Sequence, residues 1–259
     1  MNGRSVALVT GASSGIGEQF ARLLAEAGHA VVAVARNRQA LERLALEVHD
    51  RHGIEVEVLA ADLETPAGVA VVVQRIADGA PLDLVVNNAG FGWYGPFGEQ
   101  PAASVEAMVA VNVTALALVS RAALASMLPR GRGGLLNVSS TAGFVPGPRG
   151  AVYHATKAFV TSLTESLHEE ARPHGVRVTA LCPGFTPTGF QRRAEVGTDG
   201  LPGFAVTDAR MVAAAGLAAV ERNQAICVPG VPNRVVRVAG QVMPRALIRR
   251  VSARVLERI

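Results

Sequence analysis

Lysine is almost missing from this chain. Its 259 residues carry 25 basic side chains, of which 24 are arginine and one, Lys157, is lysine. Tyrosine is nearly as scarce, with only Tyr94 and Tyr153. An arginine-biased composition accounts for the general scarcity, but not for where the survivors stand. Cysteine is limited to Cys182 and Cys227, both in apolar runs and with no CxxC or Cys/His spacing. That excludes a disulfide scaffold and a zinc site, and it points to buried thiols in a reducing compartment. No metal site is expected. No uncharged apolar run reaches membrane-spanning length, and the first strand pattern begins at Ser5, which leaves no room for a signal peptide. A cytoplasmic protein is expected.

Acids are nearly absent from one end. Residues 230–259 hold seven arginines and one acid, Glu257, a net +6 where the whole chain is +4, so the other 229 residues sum to −2. The pI of about 9.8 is therefore a property of the tail. A slightly acidic body argues against a nucleic-acid binder.

What is present is a large apolar fraction, 49%, against 18% charged, enough for a sizeable core. Short β-branched runs at 6–9, 30–35, 55–60, 84–86, 134–138, 176–181 and 225–228 read as strands. They are apolar nearly throughout, as parallel strands covered on both faces are. Helical patterns fall between them at 16–27, 39–52, 66–78, 102–128, 152–172 and 208–222. Gly28 and Gly175 stand just past helix ends, where a left-handed cap is wanted. The alternation predicts an α/β, doubly wound parallel sheet of Rossmann-like type, with helices on both faces and a single domain over 1–259. A Gly/Pro/Thr-rich stretch at about 185–207 reads as a substrate lid. Residues 231–259 form a basic extension.

Thr10-Gly-Ala-Ser-Ser-Gly-Ile-Gly17 follows the first strand and opens a helix. Gly11, Gly15 and Gly17 permit a tight turn and close backbone approach, and the helix N-terminus offers amides to a pyrophosphate. The second strand ends at Arg36-Asn37-Arg38, with no acid nearby in sequence. A guanidinium there suits a 2′-phosphate, so NADP(H) is favoured over NAD(H). Asp62 either accepts from the adenine amino group or caps the following helix.

Asn87-Asn88-Ala89-Gly90 follows the fourth strand, at the carboxyl ends where such sheets bind ligands. Asn112 lies within an apolar helical pattern, which predicts either a satisfied core amide or a helix distortion near a site. Ser139-Ser140 follow the fifth strand. Tyr153 and Lys157, four apart, share a helix face, and an adjacent ammonium lowers a phenol from its usual value of about 10. Such a phenol suits general acid–base work on an alcohol or carbonyl. The pair alone is common, but here it holds the sole lysine and one of two tyrosines.

Together these motifs resemble the compact single-domain short-chain dehydrogenase/reductases. The match runs from residue 5 to about 190: the glycine turn, Asn87-Asn-Ala-Gly90, Asn112, Ser140, Tyr153-x-x-x-Lys157 and Pro183-Gly184. In that family the serine precedes the tyrosine by thirteen residues, which selects Ser140 over Ser139. The resemblance implies an oxidoreductase with Asn112, Ser140, Tyr153 and Lys157 as its catalytic set. Tyr153 exchanges the proton, Ser140 holds the substrate oxygen, Lys157 binds the nicotinamide ribose and Asn112 anchors a water. It further implies a cofactor held by Gly11, Ser13, Ser14, Gly15, Ile16, Gly17, Arg36, Asp62, Leu63, Asn88, Ala89, Gly90, Tyr153, Lys157, Pro183, Gly184, Thr186 and Thr188. His154 stands where the family is usually small and is not assigned to catalysis.

Phe91, Trp93, Tyr94, Phe97, Phe144, Val145, Phe185 and Phe190 either wall an apolar pocket or pack loops. Arg149, Arg192 and Arg193 are loose candidates for an acidic substrate. The expected reaction is hydride transfer between nicotinamide and a carbonyl or secondary alcohol on an apolar substrate. The alternative is a nucleotide-sensing binding protein on the same fold. In the tail, apolar residues at 247, 248, 251, 255 and 259 alternate with arginines. If helical, that segment packs on the body or on a partner subunit, or makes a peripheral membrane contact. A homodimer or homotetramer is expected.

Overall fold

Strand β1 (Val6–Thr10) lies in the interior of the sheet, and every side chain on it is buried, apolar but for Thr10. The computed structural model describes residues 4–186 and 207–256. Around β1 lie β2 (Ala30–Ala35), β3 (Val56–Ala60), β4 (Leu84–Asn87), β5 (Gly134–Val138), β6 (Arg177–Leu181) and β7 (Ile226–Cys227). All pair parallel, in the order β3-β2-β1-β4-β5-β6-β7. The order reverses beside β1, between β1 and β4, which opens a crevice at the carboxyl ends. The doubly wound prediction is met.

The pleat sends alternate residues to opposite faces. Val6, Leu8, Val32, Val34, Val85 and Leu135 meet α3 (Pro66–Asp78) and α5 (Leu116–Met127) on one face. Ala7, Val9, Val31, Ala33, Val86 and Leu136 meet α1 (Gly15–Glu26), α2 (Arg38–His52) and α7 (Ala209–Glu221) on the other. Helix α6 (Ala151–Ala171) runs beside β6 and carries the site. Gly28 and Gly175 both adopt left-handed φ, 88° and 71°, at the expected helix ends.

Three local expectations need correction. The single helix expected over 102–128 is α4 (Ala102–Val109) joined to α5 through a π turn, Ala110–Ala115, that contains Asn112. This run, through Arg130, is long and apolar enough to span a membrane, contrary to expectation. Here it lies on the sheet, with Val111, Ala115, Val119, Ala123 and Met127 in the core. The cap of α3 is Thr65, whose Oγ1 accepts from Gly68 N at 3.1 Å, and not Asp62. The basic extension contains two helices, α8 (Val231–Val242) and α9 (Arg245–Leu256), broken at Pro244, and the segment read conditionally as helical is α9. Pro244 has no amide hydrogen and forces extended backbone on Met243.

Candidate active site

The turn after β1 and the loop after β4 are sewn together by one hydroxyl. Thr10 Oγ1 accepts from Asn88 N and Ala89 N, each at 3.0 Å. Asn88 Nδ2 returns a bond to Thr10 O at 3.0 Å. Gly11 and Gly15 take left-handed φ of 67° and 59°. A Cβ on Gly17 would fall 2.2 Å from Gly11 O, so only glycine lets α1 start against this turn. Ser14 is the extended N-cap of α1, and no side chain caps the first amides. Ser13 and Ile16 flank it, Ile16 with its side chain against the core. A glycine-lined cradle at an uncapped helix N-terminus fits a pyrophosphate. Thr10 itself escapes a sequence reading, because nothing marks a threonine at a strand end as a loop clamp.

Arg36 is not alone. Ala35 pairs with Ala60, so the chain after β2 emerges beside the chain after β3. Arg36 Nη1 lies 2.5 Å from Glu64 Oε1 and 3.9 Å from Asp62 Oδ1. The expectation that no acid stands near held along the sequence and fails in space. Asp62 Oδ1 also accepts from Glu64 N at 3.0 Å, which fixes Glu64 in place. The Leu63 side chain is in the core.

Tyr153 and Lys157 stand one turn apart on α6, both buried. Lys157 Nζ donates to Val138 O at 2.9 Å and lies 5.8 Å from the centroid of the Tyr153 ring. The Ser140 hydroxyl stands close enough to the Tyr153 phenol to favour its charged form. Ser140 is the extended residue after β5, and its Oγ accepts from Ala142 N at 3.1 Å. Ser139 points the other way, to Lys157 O at 2.8 Å and Thr161 Oγ1 at 2.7 Å. The structure thus brings Ser140, and not Ser139, to the phenol. Asn112 Nδ2 donates to Phe91 O at 2.8 Å and Thr156 Oγ1 at 3.0 Å, while its Oδ1 accepts from Phe91 N at 3.1 Å. This satisfied amide sits in a distorted helix, so both alternatives read for Asn112 occur together. A Cβ on Gly90 would be 3.0 Å from Asn112 Oδ1 and 3.4 Å from Lys157 Nζ, which leaves the cleft floor bare between them.

Burial governs the titration of the pair. It pushes the Tyr153 phenol up to about 12, opposed by the nearby Ser140 hydroxyl. It lowers the Lys157 ammonium to about 8. The sequence led us to expect a lowered phenol. The ammonium instead reaches over the ring to a carbonyl, and loss of water disfavours the charged form of both groups.

His154 accepts a structural role. Its Nδ1 lies 2.9 Å from Val145 O, and its ring stands edge-on to Tyr153 and Tyr94, at centroid distances of 6.1 and 6.4 Å. Under the site lies a polar network that sequence reading missed. Asn87 Nδ2 donates to Asn137 Oδ1 at 3.0 Å and Ser120 Oγ at 3.1 Å, and Asn137 Nδ2 donates to Thr164 Oγ1 at 3.0 Å. These residues stand on two strands and two helices far apart in sequence, so no spacing reveals them.

On the far wall, Pro183 is buried and its carbonyl accepts from Thr141 N at 2.9 Å. Gly184 lies against the Asn233 side chain of α8. Thr186 is buried with its Oγ1 3.4 Å from Gly184 O. Thr207 N donates to Phe185 O at 2.9 Å, which ties the two stems of the expected lid. Thr188, Phe190, Arg192 and Arg193 lie outside the described residues. Phe91, Trp93 and Tyr94 pack around Met108, Ala142 and Tyr153. Phe144 lies under α8, with Arg237 6.0 Å from its ring, and Phe97 is exposed.

Comparison with known proteins gives a consistent result. The family model described as short chain dehydrogenase matches residues 5–198. A very-long-chain 3-oxoacyl-CoA reductase of Anas platyrhynchos is 30% identical over 214 residues, covering 75% of this chain and 69% of the relative. Among solved structures, a short-chain dehydrogenase from Sphingobium yanoikuyae in complex with NADPH superposes with a TM-score of 0.85 at 35% identity, over 92% of this chain and 93% of that one. A bulky-bulky ketone specific alcohol dehydrogenase from Comamonas testosteroni gives 0.80 at 32% identity, again over 92% and 93%.

Proposed function

The chain belongs to the short-chain dehydrogenase/reductase family and is an NAD(P)-dependent oxidoreductase; from that premise we propose that it reduces the carbonyl of an apolar substrate with NADP(H). The observation that carries this reading is the convergence of buried Ser140, Tyr153 and Lys157, with the Lys157 ammonium 5.8 Å from the Tyr153 ring, beside the bare backbone of Gly90.

A bound nicotinamide dinucleotide supplies the hydride. The turn from Gly11 to Gly17 and the Asn88-Ala89-Gly90 loop would hold it, with Pro183, Gly184 and Thr186 on the opposite wall. Lys157 would reach its nicotinamide ribose, since Nζ already faces the crevice floor at Gly90. Ser140 donates a hydrogen bond to the substrate oxygen and fixes its position. Tyr153 then gives its proton to that oxygen as charge develops there. A phenol raised to about 12 keeps its proton at neutral pH, which suits the acid of a reduction. Asn112 holds Phe91 and Thr156 together, so the cleft floor keeps its shape during the step. The NADPH named for one similar structure and the ketone specificity named for another support the cofactor and the substrate class. The aromatic side chains around Tyr153 support an apolar one.

The test is Tyr153→Phe. We expect unchanged NADPH binding by fluorescence and a loss of about 10²–10⁴ in turnover across a panel of ketones graded in size. Turnover near wild type would remove Tyr153 from the role of acid.

A further inference from the structure

Helix α8 is built inside out. Toward the body it presents Asn233, buried against Gly184, and Gly240, where a Cβ would meet Phe144 O at 2.6 Å. Away from the body it presents Val231, Val235, Val238 and Val242, one stripe at helical spacing and between 54% and 73% exposed. Helix α9 repeats the arrangement: Ile248 is buried, while Leu247, Val251 and Val255 form a second exposed stripe. A helix on a water-exposed surface normally carries its apolar stripe inward. Arg234, Arg245, Arg249, Arg250 and Arg254 stand exposed around these stripes, and residues 230–256 contain no Asp or Glu.

We propose that this face of α8 and α9 docks on an anionic lipid surface. Charge selects the occupant. Two-fold pairing with a second copy would set these arginines against their own images with no acid on the face to answer them. An anionic bilayer answers both halves, with acyl chains for the valines and headgroups for the guanidiniums. The face also has a position. Helix α8 lies on the turn Thr141–Phe144, directly after Ser140, and covers Gly184. Docking therefore sets the substrate cleft at the lipid boundary; this consequence rests on the apolar-carbonyl reading, whereas the docking itself does not.

The full-length protein is sedimented with phosphatidylcholine vesicles with and without phosphatidylglycerol, at low and high salt. Binding is expected to the anionic vesicles only and to weaken with salt, and each arginine of α9 changed to Gln should cost about fivefold in affinity. Val235→Gln/Val238→Gln should weaken binding at least tenfold and leave turnover of a water-soluble ketone unchanged. No sedimentation with anionic vesicles at low salt overturns the proposal. So does equal binding to neutral vesicles, or a dimer in analytical ultracentrifugation that the valine variant dissolves. Vesicle binding needs no turnover, so a failed catalytic assignment and a failed docking assignment remain distinguishable.

Discussion

Replacing Lys157 by Met should kill the enzyme and stabilise the fold. The ammonium is buried at 4% exposure, and desolvation lowers it from 10.5 to about 8. Holding it charged at pH 7 therefore costs the native state about 3 kcal/mol relative to the unfolded chain. Met keeps the length of the side chain without the charge. It also loses the bond from Nζ to Val138 O, worth about 1 kcal/mol. The balance is a gain of about 2 kcal/mol, or a rise of about 4–8 °C in Tm for a chain of this size. The sign fixes the pH window. The folded value lies below the unfolded one, so the penalty is complete below about pH 8 and fades as pH rises toward 10.5. Urea unfolding of both proteins at pH 7 and pH 10 reads this directly. The variant should lead at pH 7, and the gap should close at pH 10. A variant less stable than wild type at pH 7, or a gap independent of pH, would refute the account of Lys157 as a strained buried charge.

Glu64→Gln should tighten NADPH binding about tenfold with little change for NADH, because the carboxylate that now holds Arg36 competes with a 2′-phosphate. An unchanged ratio of the two dissociation constants would show that Arg36 does not read the phosphate. Asn137→Leu strips partners from Asn87 and Thr164 in the core, and should lower stability by about 2–4 kcal/mol in urea unfolding. A loss below about 1 kcal/mol would mean that the neighbours re-pair among themselves.

The sheet was legible in the sequence because strands covered on both faces carry no polar alternation. Runs such as 30–35 and 134–138 match their strands end to end. The placement of Ser140, Tyr153 and Lys157 was legible for a related reason: Ser140 follows a strand end, and Tyr153 and Lys157 lie within two turns of a helix start, where local order determines direction. The Arg36–Glu64 pair was not legible, since it exists only through the β2–β3 register. Nor was the titration of Tyr153, which depends on how much water the whole cleft excludes. The tail was left open for a more specific reason. Apolar spacing marks the coherent side of a helix, but it does not say whether that side turns inward, and in α9 Leu247, Val251 and Val255 turn out while Ile248 turns in.

The π turn at Ala110–Ala115 has a consequence for how this chain can change length. A wider turn acts as one extra residue threaded into an otherwise regular helix. It therefore offsets the phase of α5 from that of α4 by about 100°. Excising a single residue from the turn would restore a straight helix and rotate one half against the other. Val119, Ala123 and Met127 would leave the sheet, or Asn112 would leave Phe91 and Thr156. Among the described helices on the sheet, α1, α2 and α3 each meet a loop at both ends and can absorb such a slip there. This one is indexed at its middle, so single-residue deletions should be tolerated after Arg130 and lethal between Ala110 and Ala115.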